Sequence, residues 1–456
     1  MVLQETISGS IWDRSGGLLA ELSNANVIQA SSKRQCCPDG SFAIGGVYAS
    51  TLSIACRIPN TSNFKVRGAK ITLYSQYTGE TNPYCIGTFW VTSCTRSGDI
   101  YTITAQDAVG WLDTASYNST SNQSAKSVGE LLNEQVGYTG SNLMTWCHRI
   151  TSFANDFIKA QTGMSNLLEW EQYFPVLNDN EDYCNSCIWA NINGVWRRTI
   201  YTAMYFLDSG TGTSNSACPR DFFKYIAELA GGFIFSKPED GHLTLGQFAQ
   251  PQYGETAIGM NEMEWNSCDI ADYTMELMRV DAHVELEKDQ NAWGWWVLQS
   301  PDYDTKVQFR IEISNNPFLD GFAKGFVFVE GYSLDTVAQG IRYAICDYAG
   351  GYTIRPFSCT VHSNKRYALG QKVKLTYQDL TDAIPQTYSS IITSIAWTFR
   401  GGHKISCGGS DSRAMADTVR MTKADKVRAE TRCQLQALRK EFNYITKADI
   451  DRMMSS

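Results

Sequence analysis

The chain has 456 residues, 43% of them hydrophobic and 19% charged, with a formal net charge of −8. Compact domains hold roughly 100–150 residues, so this length calls for three or four of them. The apolar content excludes global disorder, and the acidic balance argues against a nucleic-acid binder, which would neutralise phosphates with clustered Lys and Arg. No stretch approaches the roughly 20 apolar residues of a membrane span.

Aromatic residues reach 12%, with 12 Trp and 23 Tyr, which favours β-sheets and large contact surfaces. The 14 cysteines are scattered. The opening "MVLQETISGSIWDRSGG" lacks a basic segment followed by an apolar run, so a chain made in the cytoplasm with mostly buried thiols is expected. Cys184 and Cys187 form one C-x-x-C without the second pair or the His pair that a zinc site needs.

Residues 1–115 read as a first β domain. Leu52, Ile54, Cys56 and Ile58 share one face of an alternating run, as do Ile71 and Leu73. A hairpin follows, "GTFWVTSC" turning at Ser97-Gly98-Asp99 into "IYTITAQDA". Residues 116–250 read as a mixed α/β domain. It opens with the polar linker "ASYNSTSNQ" and a short helix from Ser127 to Gly137, and the period from Ile158 to Arg198 is indistinct. Its clearest unit is "PRDFFKYIAELAGGFIF". Phe222, Phe223, Ile226, Leu229 and Ala230 fall in one helical arc, Pro219 suits the first turn, and Gly231-Gly232 stops the helix before an aromatic strand.

Residues 251–410 read as a second β domain with an inserted helix. Val280, Ala282, Val284 and Leu286 alternate with Arg279, Asp281, His283 and Glu285, which predicts a strand with one wet face. Val307, Phe309, Ile311 and Ile313 do likewise. A helix is predicted from Ser333 to about Tyr348, ending on a second Ala-Gly-Gly, and strands at "FSCTVHS", "QKVKLTY" and "YSSIITSIAWTFRGG". Residues 411–456 form a basic helical tail in which Leu435, Leu438, Phe442 and Ile445 follow the 3-4-3 spacing of a packed seam. Two heptads do not hold alone, so that tail calls for a partner or for self-assembly.

Candidates for chemistry are few. A nucleophile elbow, a P-loop, an H-E-x-x-H and an EF-hand are missing from the sequence. His242 and His283 read as surface residues. Glu169 and Glu171, flanking Trp170 with Tyr173 nearby, match a glycosidase pair weakly. "WGWW" (Trp293 to Trp296) could stack on sugar, though such runs more often build cores or interfaces. Neither a catalytic residue nor a cofactor nor a metal is assigned.

Four ordered segments resemble the tail-tip or baseplate hub family of phages and prophages of Firmicutes, often called tail-associated proteins. They are "FAIGGVYASTLSIACRIP" with "VRGAKITLYSQYT", "IGTFWVTSCTRSGDIYTITAQDAVGWLD", "PRDFFKYIAELAGGFIFSKPEDGHLTLGQF", and "LGQKVKLTYQDL" with "YSSIITSIAWTFRGGHKISCGG". The resemblance implies a β-rich α+β fold with two related β-barrel domains, inserted α/β segments and a C-terminal helix. It implies a homotrimer whose six barrels adapt a sixfold tail tube to a threefold central spike or fibre. Expected partners are a distal tail protein or the tube hexamer and a tape measure protein, with DNA passing through the lumen unbound and the protein residing in the virion. A glycan-recognising receptor-binding protein and a cell-wall hydrolase are the alternatives. The second Ala-Gly-Gly is explained either by common helix-stop chemistry or by a duplicated barrel.

Overall fold

The computed structural model describes residues 4–38, 41–58, 66–114, 143–164, 167–170, 189–192, 195–198, 219–248, 254–264, 267–271, 273–286, 290–297, 305–314, 316, 338, 342, 353–378 and 384–408. The predicted 127–137 helix, Cys184, Cys187, Glu171, Tyr173 and the second Ala-Gly-Gly lie outside them. So does the predicted 333–348 helix, apart from helical Ala338 and Arg342.

The strands are β1 (Glu5–Trp12), β2 (Leu18–Ser23), β3 (Val27–Gln35), β4 (Gly46–Val47), β5 (Thr51–Arg57), β6 (Lys70–Tyr77), β7 (Tyr84–Ser97) and β8 (Ile100–Gln106), the last followed by a 3-10 turn at Ala108–Thr114. Then come α1 (Leu143–Thr162), β9 (Trp189–Ile192), β10 (Val195–Arg198), α2 (Pro219–Leu229), β11 (Phe233–Ser236) and β12 (Leu243–Gly246). The remainder is β13 (Glu255–Ile258), β14 (Asp269–Ile270), β15 (Thr274–Leu286), β16 (Gln290–Val297), β17 (Lys306–Ser314), β18 (Thr353–Ile354), β19 (Phe357–Val361), β20 (Lys372–Tyr377), β21 (Gln386–Ile391), β22 (Ser394–Thr398) and β23 (Gly402–Cys407). The fold is β-rich α+β.

An 11-stranded sheet runs β14-β19-β23-β22-β3-β5-β8-β7-β6-β1-β2. Its second part, β3 to β2, wraps one core: Ile7 and Ile11, Leu52 and Ile54, Ile71 and Leu73, Phe89 and Val91, and Ile103 and Ala105 all belong to a single buried cluster. On β5, β6 and β8 this is the alternation predicted from sequence, and β1 adds Ile7 and Ile11 to the same interior. The end strands β2 and β3 are consecutive and meet at a turn closed by Asn26 N–H to Ser23 O, 3.1 Å. No ladder joins them; the turn residues Asn24 and Asn26 bridge the gap instead. Asn24 Oδ1 accepts from Ile7 N on β1 at 2.7 Å, Asn26 Nδ2 donates to Glu21 O at 2.7 Å, and Asn26 O accepts from Arg57 N on β5 at 2.8 Å. Every described sheet is therefore open, and the ladders themselves close no barrel.

The pairing order occurs twice. In the first half β3 pairs with β5, β5 with β8, β8 with β7 and β7 with β6; in the second, β14 pairs with β19, β19 with β23, β23 with β22, and β21 with β20, all antiparallel. The long bent β7 corresponds to β21 and β22 together. Its first part pairs with β6 as far as Trp90, the register shifts between Val91 and Ser93, and the rest pairs with β8. Val91-Thr92-Ser93 at that bend matches Ile392-Thr393-Ser394 between β21 and β22. The halves differ next: β6 pairs with β1 antiparallel, β20 with β13 parallel.

Between them, α2 buries Phe222, Phe223, Ile226, Ala227 and Ala230. Gly231 takes φ +62° and the Gly232 N–H donates to Ala227 O at 2.9 Å, ending the helix as its sequence predicts. β11 then pairs in parallel with β4, tying this helix–strand unit to the first half. α1 occupies part of the region whose period was indistinct, burying Cys147, Ile150, Ala154 and Ile158.

The wet face predicted for β15 is corrected. Asp281 is fully buried, in contact with Arg279 and with Arg310 Nη1 3.9 Å away, and Glu276 is also buried and accepts from Lys306 Nζ and Gln308 Nε2. β16 and β17 flank β15; Arg310 and Lys306 come from β17 and Arg279 from β15 itself. All described cysteines are free thiols, most of them buried.

Candidate assembly surface

The two halves meet where β22 pairs with β3, from Ser394 opposite Gln35 to Thr398 opposite Ser31. Around this ladder a polar network is buried. Glu5 accepts from Trp397 Nε1 at 2.8 Å, from Arg400 N at 2.7 Å, and from the Ser75 hydroxyl. One carboxylate of the first half thus satisfies an indole and a turn amide of the second. Arg400 needs that anchor, since it holds φ +63°, a left-handed conformation that side chains with a Cβ disfavour.

Arg366 makes the reciprocal contact. Its guanidinium lies 4.5 Å from the Tyr77 ring and 4.7 Å from the Tyr84 ring, and it donates to Glu80 at 2.8 and 2.5 Å and to Ser75 O at 3.0 Å. Arg34 donates to Tyr84 Oη at 3.2 Å and to Tyr367 O at 3.4 Å. Below them His403 packs edge-on against Tyr367, centroids 5.5 Å apart. Burial, reinforced by Arg366 and Arg34, pushes the imidazole down to about 3, so His403 is neutral in the folded protein. Neither ring nitrogen has a hydrogen-bond partner.

Each half presents one strand position to the outside that the seam uses inside. β22 is the equivalent of the second part of β7, and β3 is the equivalent of β14. β14 terminates the 11-stranded sheet, and the second part of β7 has β8 on one side while β6 stops at Trp90. Ser93, Thr95, Arg96 and Ser97 are exposed there, as is Asp269 on β14.

The weak candidates for chemistry resolve differently. Trp170 is buried and stacks on Phe223, centroids 5.1 Å apart and planes 4° from parallel, so its face is inside the core rather than offered to a sugar. Glu169 Oε2 lies 2.8 Å from His242 Nε2, and Asp240 Oδ2 lies 3.5 Å from His242 Nδ1. With Glu169 O accepting from Leu243 N at 2.7 Å, this clasp holds the 167–170 segment against β12. A cleft of about 380 Å³ beside Trp12, Lys70 and Trp90 has its charged groups engaged by the chain itself. Asp13 caps its own turn at Ser15 and Gly17, and Arg14 donates to Arg67 O and Thr162 O. Among the described residues no group of three or more His, Cys, Asp or Glu could hold a metal ion, and no helix is long and apolar enough to cross a membrane. Leu435, Leu438, Phe442 and Ile445 lie outside the described residues, as do the side chains of His283 and Trp293 to Trp296.

The geometry defines a two-part β-rich protein whose halves are joined edge to edge. No protein-family model matches the chain, and no curated protein sequence matches it. Among solved structures it is similar to the 43 kDa tail protein of prophage MuSo2 from Shewanella oneidensis, at 12% identity and a TM-score of 0.42, covering 90% of this chain and 98% of that one. It is similar to a chain of the p2 virion baseplate in its activated conformation, at 10% identity and a TM-score of 0.31, covering 89% and 99%. A type VI secretion component of Escherichia coli, described as structurally similar to the T4 bacteriophage tail proteins gp27 and gp5, follows at 8% identity and a TM-score of 0.31, covering 85% and 74%.

Proposed function

We propose that this protein is the structural hub at the distal end of a phage or phage-like tail, a homotrimer that adapts a sixfold tube to a threefold central spike or fibre. The observation that carries this reading is the repeated pairing order, with the two halves joined through β3 and β22. Residues 1–115 and 251–410 then supply two barrel-like units per copy, and residues 116–250 lie between them. Because β14 and the second part of β7 are the equivalents of the strands already joined inside the chain, the same contact can form between copies. Such a head-to-tail contact propagates until it closes, and a ring of six units needs three copies.

In that register Ser97 of one copy faces Asp269 of the next, as Thr398 faces Ser31 within the chain. The acidic composition suits a lumen that passes DNA without holding it. The C-terminal seam of Leu435, Leu438, Phe442 and Ile445 pins the trimer or seats the spike. The tube hexamer or a distal tail protein, and a tape measure protein, are the neighbours above, and the virion tail tip is the location. Mass photometry and negative-stain imaging of the full chain test this: threefold particles with six lobes are expected, and a monomer at micromolar concentration overturns it.

A further inference from the structure

β14 and β19 pair with Asp269 opposite Ser358 and Ile270 opposite Phe357. Continuing that register by one residue sets Cys268 opposite Cys359. Ala271 N donates to Pro356 O at 3.0 Å, which makes Ala271 and Pro356 a hydrogen-bonded position. Positions alternate in an antiparallel ladder, so Asp269 with Ser358 is hydrogen-bonded and Cys268 with Cys359 is not. At the next position Thr360 N donates to the Ser267 hydroxyl at 2.9 Å, in keeping with that alternation. Non-hydrogen-bonded pairs hold their Cα atoms about 4.5 Å apart, inside the span a disulfide bridges.

We propose that Cys268 and Cys359 are a cross-strand redox pair that closes to a disulfide when the protein meets a low-molecular-weight disulfide such as oxidised glutathione. The two side chains are neighbours on that ladder, and Cys268 also donates to Met263 Sδ at 3.7 Å. The neighbouring Cys359 thiol holds Cys268 below its ordinary range, while Cys268 and burial push Cys359 far up. Cys268 is also the more accessible of the two, Cys359 being fully buried.

Cys268 is therefore the attacking sulfur. Its thiolate displaces one thiol from the small disulfide, giving a mixed disulfide and releasing one reduced molecule. Cys359 then attacks the Cys268 sulfur, forms the internal bond and releases the second reduced molecule, which takes up the proton. The two protein thiols are oxidised and the small disulfide is reduced. The bridge staples β14, the terminal strand of the large sheet, to its neighbour, and closes the long loop that carries β15 to β18.

The test treats the native full chain with oxidised glutathione, blocks remaining thiols and maps the peptides by mass spectrometry, with a dithiothreitol-treated control. One peptide pair joining Cys268 to Cys359, lighter by two hydrogens and released by reductant, is expected, together with a reductant-reversible rise in Tm of several degrees. Cys268→Ser should leave Cys359 reduced, and Cys359→Ser should stop at glutathione on Cys268. Persistent free thiols at both positions, a stable mixed disulfide in the unaltered protein, or bridges to other cysteines instead would overturn the proposal. The mapping on the unaltered chain decides the matter even if a variant fails to fold.

Discussion

His403 shows how much a single buried group at the seam controls. Its folded value is about 3 against 6.5 in the unfolded chain. Between those values the unfolded state binds more protons, so the contribution is complete above pH 6.5 and is lost as pH falls toward 3. Asp107 has the opposite sign. Burial raises it to about 6 from 3.8 despite the amides of Ser50 and Gly110, so its contribution is complete below 3.8 and is lost as pH rises through 6. The stability difference between His403→Phe and the unaltered protein, read by urea denaturation, should be flat above pH 6.5. It should shift in favour of the variant by up to about 4 kcal/mol as pH falls to 3. A difference independent of pH removes His403 as the cause. His403 sits in a regular strand run in the sequence, and nothing local distinguishes it from an exposed histidine. Only the Tyr367 ring and the two arginines, remote in sequence, make it a buried neutral base.

At the scale of elements, the helix–glycine–strand unit was readable because each of its parts is local: an apolar arc, a proline start and a glycine stop. The structure adds why two glycines stand there. Gly231 supplies the positive φ, whereas a Cβ on Gly232 would lie 2.3 Å from the Gly246 carbonyl oxygen of β12. Backbone cannot give way as a flexible side chain can. Gly232→Ala should therefore cost about 2–4 kcal/mol, and Gly231→Ala about 1 kcal/mol, measured by chemical denaturation; the reverse order contradicts the close approach. β1 to β4 were not picked out, but β5 to β8 were equally legible, since one face meets the core and the other meets water. β15 was not, because its second face is covered by arginines from its own strand and from β17. The alternation of Val280 and Ala282 with Arg279 and Asp281 is the same pattern an exposed face leaves. α1 does carry a helical signal in the sequence, Cys147, Ile150, Ala154 and Ile158 at three- and four-residue steps. The second Ala-Gly-Gly lies outside the described residues; the repeated pairing order has its equivalent bends at Val91-Thr92-Ser93 and Ile392-Thr393-Ser394.

For the whole molecule, the proposed contact between copies is open to a charge test at its most exposed pair. Ser97→Asp sets a carboxylate against Asp269 and should weaken association by about 0.5 kcal/mol per interface, whereas Ser97→Lys should strengthen it by a similar amount. Sedimentation at low salt reads the order Lys, Ser, Asp from tightest to loosest, and adding Asp269→Lys should invert that order. An unchanged monomer–trimer equilibrium across all six proteins counts against this register. The sequence marks Ser97 only as a turn residue and Asp269 not at all, because the proposed pairing follows from the equivalent positions of the two halves in the sheet.

The ladder from Ser31–Gln35 to Ser394–Thr398 also sets a timetable for synthesis. β3 leaves the ribosome long before its second neighbour, since β22 follows it by hundreds of residues in the chain. Until then the nascent chain carries a raw sheet margin of the kind that recruits wrong strands, and its closure is entropically slow. Lys33 and Arg34, set in the middle of that margin, give it the positive charge that discourages such pairing while it waits.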